Sequence, residues 1–278
     1  MKKLIKGLRE FKASYVATHR DLLEQLSHGQ KPRVLFITCS DSRIVPNLIT
    51  QTDLGELFVI RNAGNIIPPY GAANGGEGAS VEYAIHALGI DQIVVCGHSH
   101  CGAMKGLLQL NKLQEEMPLV YDWLKHAEAT RRLVKENYAS YSGEELLEIA
   151  IAENVLTQIE NLKTYPVIHS KLYQGKLRIY AWIYHIETGE VLAYDPETHS
   201  YMPPQSQITE YSKDSSIPTR LISTMAPPVA CEVPPLQVEE VAIVDHGNRT
   251  PEPGEQDALP WLSPEQAERI YRGTVSRR

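Results

Sequence analysis

Cysteine is scarce in this chain of 278 residues, with only four present, at positions 39, 96, 101 and 231. A chain of this length can bury a sizeable core without disulfides, so these cysteines do not form the framework of a small disulfide-rich domain. We therefore expect a metal or catalytic role for any cysteine that lies in a motif. Cys96, at the end of an apolar run, is predicted to be a small buried hydrophobe. Cys231, in a proline-rich stretch, is expected to have no catalytic role.

Long apolar runs and excess positive charge are also missing. No run approaches the ~18 apolar residues that a membrane-spanning helix needs. The formal net charge of -7 argues against nucleic-acid binding by bulk attraction. The first residues are basic but lack the apolar stretch and cleavage site of a signal peptide. These absences predict a cytoplasmic protein whose partners include neither nucleic acid nor membrane.

Short apolar strands alternate with helical segments over the first two hundred residues. Such alternation predicts an α/β fold with a mostly parallel β-sheet flanked by helices, and the turn at 187–190 adds an antiparallel edge strand. The predicted strands are 34–37, 57–60, 92–96, 177–186 and 191–194, and the predicted helices are 4–26, 79–88, 101–110 and 142–162. Residues 64–78, rich in Gly, Asn and Pro, are predicted to be a loop.

The composition changes near residue 203, since eleven of the eighteen prolines lie after residue 200. We therefore predict a domain at 1–202 and a Pro-rich C-terminal extension at 203–278, extended down to about residue 260. Within the extension, Ser263, Pro264 and Gln266 are typical of a capped helix start, and Gly273 is typical of a helix end. A short helix at about 263–273 is expected, and it would be marginal in water by itself.

Metal-ligand residues follow two of the predicted strands. Cys39 comes after the first strand, and His98 and Cys101 follow the third. In an open α/β sheet, ligands bind at the carboxyl edge where the strand order reverses, so neighbouring strands would bring these loops together. Two thiolates and one imidazole suit Zn²⁺, and three protein ligands leave the fourth position to water, as in a catalytic site. Cys101 would also begin a helix, which favours its thiolate.

A structural zinc site, closed by four ligands, is the alternative to a catalytic one. Cys96 and His100 are expected to point elsewhere, so Asp41 is the remaining candidate for a fourth ligand. Bound to zinc, Asp41 would close the site. Paired with Arg43, two positions along, it would instead accept a hydrogen bond from the water at the fourth position. Both states of Asp41 stay open at this point.

The motif Cys39-Ser40-Asp41-Ser42-Arg43, taken with the His98-Ser99-x-Cys101-Gly102 motif, resembles the signature of the β-class carbonic anhydrases. The runs Arg61–Asn65 and Glu82-Tyr83 are also similar to that family, and the resemblance spans roughly residues 1–200. It implies a zinc carbonic anhydrase that reversibly hydrates carbon dioxide to bicarbonate and a proton, with Asp41 and Arg43 as catalytic residues.

The resemblance also implies a substrate pocket that crosses a dimer interface. Gln30 would donate a hydrogen bond to a substrate oxygen, Phe58 would form an apolar wall, and Tyr83 would complete the pocket. The chain would then be a homodimer or a higher homo-oligomer. Some family members have an inhibitory bicarbonate site that uses a Trp and a Gly before the first ligand. Phe36 and Thr38 stand there instead, which favours the Arg43-paired state of Asp41.

Two segments, 68–78 and 265–273, look closest to the cyanobacterial carboxysomal members of the family. That resemblance implies enclosure in the carboxysome with Rubisco, and binding of the carboxysome scaffold protein through the C-terminal extension. Two other functions compete with this interpretation. One is a zinc hydrolase on the same fold that acts on carbon disulfide or carbonyl sulfide. The other is a zinc-containing scaffold without activity, recruited into an assembly by its tail.

Overall fold

A computed structural model describes residues 1–73 and 75–204 of the chain. Its centre is one six-stranded sheet in the order β2-β1-β3-β4-β5-β6. The pairs β2–β1, β1–β3 and β3–β4 are parallel, and β5 and β6 are added antiparallel at one edge. The strands are β1 (Val34–Cys39), β2 (Leu57–Asn62), β3 (Gln92–His98), β4 (Arg178–Tyr184), β5 (Val191–Asp195) and β6 (Ser200–Met202). The predicted α/β class, mostly parallel with an antiparallel edge, is confirmed.

Helices precede the sheet and connect its parallel strands. The α-helices are α1 (Lys2–Glu10), α2 (Val16–Thr18), α3 (Arg20–Ser27), α4 (Pro46–Thr50), α5 (Gly76–Glu82), α6 (Gly102–Leu108), α7 (Leu113–Glu116), α8 (Pro118–Leu124), α9 (Glu128–Asn137), α10 (Gly143–Lys163) and α11 (Pro166–Tyr173). Phe11–Tyr15 and Tyr83–Ala87 are π-helical, and Leu110–Lys112 and Lys125–Ala127 are 3₁₀-helical. No helix in the described part of the chain has the length and hydrophobicity needed to cross a membrane.

The sequence-based boundaries need three corrections. The helix predicted at 4–26 is interrupted at His19, whose backbone leaves the helical region with φ −118° and ψ 29°. The segment predicted as a loop up to residue 78 already turns into α5 at Gly76. Helices α4, α7 to α9 and α11, and strand β6, had no predicted counterpart. They are short, and α8 and α11 begin at prolines whose fixed φ suits a first helical position.

The core packs mainly against one face of the sheet. Leu35 and Ile37 of β1 and Ile93 and Val95 of β3 are fully buried there against α5, α10 and α11. Burial of such residues removes apolar area from water, which stabilises the fold by about 25 cal/mol per Å². The central strands are thereby held rigidly, so the loops at their carboxyl ends start from fixed positions.

Gly97 explains how closely the longest helix, α10, approaches the sheet beside the ligand loop. A Cβ at Gly97 would lie 2.8 Å from Cγ2 of Val155 and 3.1 Å from Cγ2 of Ile151. Those distances are shorter than ordinary van der Waals contact, so any side chain here would push α10 away. The glycine therefore lets α10 seal the end of β3 directly before His98.

The structure describes every residue of the predicted domain at 1–202 except residue 74. The predicted extension at 203–278, with its helix at about 263–273 and Cys231, lies outside the described residues except for its first two positions. The division into two domains therefore stays a prediction.

Candidate metal centre

Three side chains meet at the carboxyl edge of β1 and β3. Cys39 ends β1, His98 ends β3, and Cys101 caps the start of α6. Because β1 and β3 are direct neighbours in the sheet, their two ligand loops lie side by side. The sulfurs of the two cysteines and a ring nitrogen of His98 all lie within 4.8 Å of one another. All three residues are buried, with exposed fractions of 6%, 0% and 1%.

The hydrogen bonding of His98 leaves one ring nitrogen facing the two sulfurs. Its Nδ1 is 2.9 Å from the carbonyl oxygen of Ser99, which only accepts hydrogen bonds, so Nδ1 carries the proton. Its Nε2 is then unprotonated and carries a lone pair. This nitrogen is one of two buried side-chain polar atoms without a hydrogen-bond partner in the described residues. A buried polar atom without a partner is costly, and metal coordination would satisfy it.

The two cysteines have the hydrogen bonding expected of thiolate ligands. Cys39 accepts from the amide of Gly64 at 3.4 Å, and the backbone amides of Met104 and Ala103 at the start of α6 act to lower the pKa of Cys101. A hydrogen bond from Cys101 lowers the pKa of Cys39, while the same contact and burial raise the pKa of Cys101. Two adjacent buried sulfurs therefore favour one thiolate and one retained proton. A divalent cation in place of that proton would let both sulfurs ionise.

Cys96 lies in β3, the strand that ends at His98, but its surroundings differ from those of Cys39 and Cys101. It is 1% exposed and packs with Phe36 and Val94 on the opposite face of the sheet. Burial raises the pKa of the Cys96 thiol to about 12, so this thiol stays neutral. The expectation that Cys96 is a small buried hydrophobe agrees with this placement.

Asp41 lies beside the three-residue group and is paired with Arg43. Arg43 donates from Nε to Oδ1 at 2.9 Å and from Nη2 to Oδ2 at 2.7 Å, and its backbone amide donates to Oδ1 at 3.0 Å. This hydrogen bonding from Arg43 holds the pKa of Asp41 well below its usual range. Asp41 Oδ2 is 3.9 Å from Nε2 of His98. Of the two states left open by the sequence, the structure has the Arg43-paired one.

Arg61, which the sequence analysis gave no separate role, fixes the loop between Cys39 and Asp41. Its Nε donates to the carbonyl of Cys39 at 3.0 Å, and its Nη2 donates to the carbonyl of Asp41 at 2.7 Å. Both acceptors are backbone atoms of the loop that carries a candidate ligand and the candidate catalytic carboxylate. No spacing rule in the sequence identifies this contact, because it depends on the register between β1 and β2.

The three expected pocket residues do not join the metal-ligand group within one chain. Phe58 pairs with Leu35, whereas Cys39 pairs with Asn62 four positions farther along β2. At roughly 3.3 Å per residue, Phe58 lies about 13 Å along the sheet from the position beside Cys39. Tyr83 accompanies Phe58, with ring centroids 6.1 Å apart, and is 50% exposed.

Gln30 is likewise at the amino end of the strands. It precedes β1 and lines a cavity of about 530 Å³ with residues of the loop before β2, such as Leu54 and Gly55. The expected pocket residues therefore gather at one end of β1 and β2, and the candidate ligands lie at the other. His100, which the sequence analysis placed off the ligand side, has its ring nitrogens 3.3 Å from Glu144 and 3.7 Å from Glu187.

The chain is similar to several known proteins. The sequence profile of the family described as carbonic anhydrase matches residues 34–191. A carbonic anhydrase of Synechocystis sp. is 57% identical over 99% of this chain and 100% of its own length. A solved structure of the β-carbonic anhydrase CcaA is 68% identical over 73% of this chain and 99% of its own, with a TM-score of 0.73. A tetrameric β-carbonic anhydrase of Sordaria macrospora is 25% identical over 69% of this chain and 95% of its own, with a TM-score of 0.63.

Proposed function

The chain belongs to the β class of the carbonic anhydrase family, and we propose that it interconverts carbon dioxide and bicarbonate at a zinc ion held by Cys39, His98 and Cys101. The single observation that carries the zinc assignment is the buried Nε2 of His98, which has no hydrogen-bond partner and faces two sulfurs within 4.8 Å. Two thiolates and one imidazole are a donor set that zinc prefers. The fit holds without any fourth protein ligand.

Bound zinc would supply water that is activated as a nucleophile near neutral pH. The chain's own residues orient that water. Asp41, kept ionised by Arg43, can accept its hydrogen bond and direct a lone pair at the carbon of carbon dioxide. Arg43 also keeps both carboxylate oxygens of Asp41 engaged, which holds this carboxylate off the metal. The roles of Asp41 and Arg43 are part of the proposal.

The substrate pocket in this proposal is completed by a second copy of the chain. Gln30, Phe58 and Tyr83 lie at the opposite end of the strands from the ligands of their own chain, so they would line the pocket of a partner subunit. Tyr83 is half exposed, which leaves it available for such a contact. The tetrameric relative from Sordaria macrospora supports an assembly larger than one chain.

Isotope exchange between labelled carbon dioxide and water tests the proposed activity against its competitors. We expect the purified protein to catalyse this exchange and to contain about one zinc per chain, because three ligands converge once per subunit. Carbon disulfide and carbonyl sulfide should be poor substrates when supplied under the same conditions. Exchange no faster than in buffer would contradict the proposal, and a protein with zinc but no exchange would favour the inactive scaffold.

We further propose that the enzyme works inside the carboxysome, where it supplies carbon dioxide to Rubisco. The alignment with the Synechocystis carbonic anhydrase covers 99% of this chain, so the C-terminal extension has a counterpart there. The sequence of the extension predicts a proline-rich tether followed by a segment with helix-capping residues, in which Ile270 and Tyr271 would be apolar anchors. A short helix that is unstable alone but has such anchors is suited to folding on a partner. The proposed partner is the carboxysome scaffold protein.

Deletion of residues 261–278 tests the docking role. Isotope exchange in dilute solution should survive, because every proposed zinc and pocket residue lies before residue 102. Binding to the scaffold protein and enclosure in the cell should be lost. Replacement of the same residues by a Gly/Ser linker of equal length controls for tail length. Normal localisation of either variant would refute the docking proposal and leave the catalytic one standing.

A further inference from the structure

We propose that Trp123 is a positioning residue that acts on Cys39 through the peptide unit between Ala63 and Gly64. The indole Nε1 of Trp123 donates to the carbonyl oxygen of Ala63 at 2.8 Å. The amide of Gly64 donates to the sulfur of Cys39 at 3.4 Å. This inference rests on the proposed function, since it takes Cys39 as a metal ligand.

The two hydrogen bonds belong to one rigid group. The carbonyl of Ala63 and the amide of Gly64 are opposite ends of the same planar peptide, so neither can turn without the other. A donor on the oxygen also draws electron density from the nitrogen side, which makes the amide a stronger donor toward sulfur. Trp123 therefore sets both the direction and the strength of the contact with Cys39.

Neighbouring residues hold the backbone on the Gly64 side of this peptide in place, so another backbone amide cannot easily take over the hydrogen bond to Cys39. Gly64 has φ +84°, and a Cβ there would lie 2.8 Å from Cε of Met104. Asn154 donates from α10 to the carbonyl of Gly64 at 3.0 Å, and Asn62 bonds both polar backbone atoms of Ile66. The peptide next to Cys39 is thus fixed on both sides, and Trp123 is the side chain that bonds its oxygen.

The consequence for the metal centre concerns charge on sulfur. Cys39 is 6% exposed, so water offers its sulfur little compensation for a negative charge. The amide of Gly64 provides part of that compensation and limits how much electron density the sulfur donates to a bound cation. Two thiolates donate much negative charge to a bound metal. Because this hydrogen bond reduces that donation, it would keep the metal more electrophilic. Trp123 lies in α8, away from every motif that identified the ligands.

The test compares full-length wild type and Trp123→Phe, each loaded with Co²⁺, whose charge-transfer absorption reports on thiolate bonding. We expect the thiolate-to-cobalt band of Trp123→Phe to move to longer wavelength, because the sulfur becomes easier to oxidise. Affinity for Zn²⁺, measured by competition with a chelator, should fall about tenfold, the usual effect of losing a hydrogen bond that supports a metal ligand.

Tyr165→Phe is the matched control. Its hydroxyl donates to the carbonyl of Pro68 at 2.9 Å, so this variant also removes a side-chain donor from the same loop, four residues beyond Gly64. It should lower thermal stability without moving the cobalt band. If Trp123→Phe does not fold, site-specific replacement of the indole N–H by sulfur, in a benzothienyl analogue, removes the same donor with little change in shape.

A band that moves in Trp123→Phe or the analogue but not in Tyr165→Phe supports the inference. A wild-type band that neither change at Trp123 moves, or that Tyr165→Phe moves equally, would overturn it while the proposed function stands. A wild-type protein without any thiolate-to-cobalt band would overturn the proposed metal site and this inference together.

Discussion

Cys101→Ala should abolish both zinc binding and carbon dioxide hydration, whereas Arg43→Ala should abolish hydration and keep the zinc. Without the sulfur of Cys101, two ligands remain, too few for a stable zinc site. Without Arg43, three ligands remain, but Asp41 loses the bonds of 2.7 and 2.9 Å that hold its carboxylate. Its Oδ2 is already 3.9 Å from Nε2 of His98, so it can then occupy the fourth position and exclude water.

Zinc content by elemental analysis and isotope exchange on the same samples separate the two effects. Cys96→Ala is the matched control, because it removes a buried cysteine of β3 that packs on the opposite face of the sheet and not in the ligand group. This variant should keep its zinc and its isotope-exchange activity, and only its thermal stability should fall. Full exchange in metal-free Cys101→Ala would refute the metal assignment. Normal exchange in Arg43→Ala, with water still present at the metal, would refute the role given to Arg43.

The strands and the ligand loops could be predicted because their signals are local. Buried parallel strands are continuous apolar runs, and β1, β2 and β3 begin where such runs begin. Cys39 and His98 end their strands, so adjacency of β1 and β3 alone brings them together. The helices α7 to α9 gave no comparable signal. They are short and alternate with 3₁₀ turns, so no single apolar period extends through them.

Contacts that depend on tertiary register could not be predicted. Arg61 reaches the carbonyls of Cys39 and Asp41 because β1 and β2 pair in one particular register. Trp123 and Ala63 are sixty positions apart and meet only when α8 packs on the loop after β2. The Arg43-paired state of Asp41 was one of two states that the sequence allowed, and choosing between them required the distances.

The expected pocket residues show a different limit, because the proposed pocket would form only in an assembly. In one chain, Phe58 is about 13 Å along β2 from the position beside Cys39, at ~3.3 Å per residue. A monomer with Gln30, Phe58 and Tyr83 so far from the metal would have an incomplete pocket. We therefore expect no exchange activity from dissociated monomers, and we expect inactive chains with different lesions to complement each other.

Mixing a Cys39→Ala chain with a Gln30→Ala chain should restore activity after subunit exchange. In a two-fold dimer, one hybrid site takes its ligands from the Gln30→Ala chain and its pocket from the Cys39→Ala chain, so it is intact. Random exchange of equal amounts makes half of the dimers hybrid with one working site of two, which predicts roughly a quarter of wild-type activity.

The control mixes Cys39→Ala with Cys101→Ala. Both lesions then lie in the ligand set, so each hybrid site keeps one defect and no activity should return. Native mass spectrometry of differently tagged chains would establish that exchange has occurred in both mixtures. Recovery in the first mixture and not in the second requires a pocket shared between subunits. Absence of recovery in both, with hybrids present, would mean that Gln30 serves the metal of its own chain, against its position before the amino end of β1.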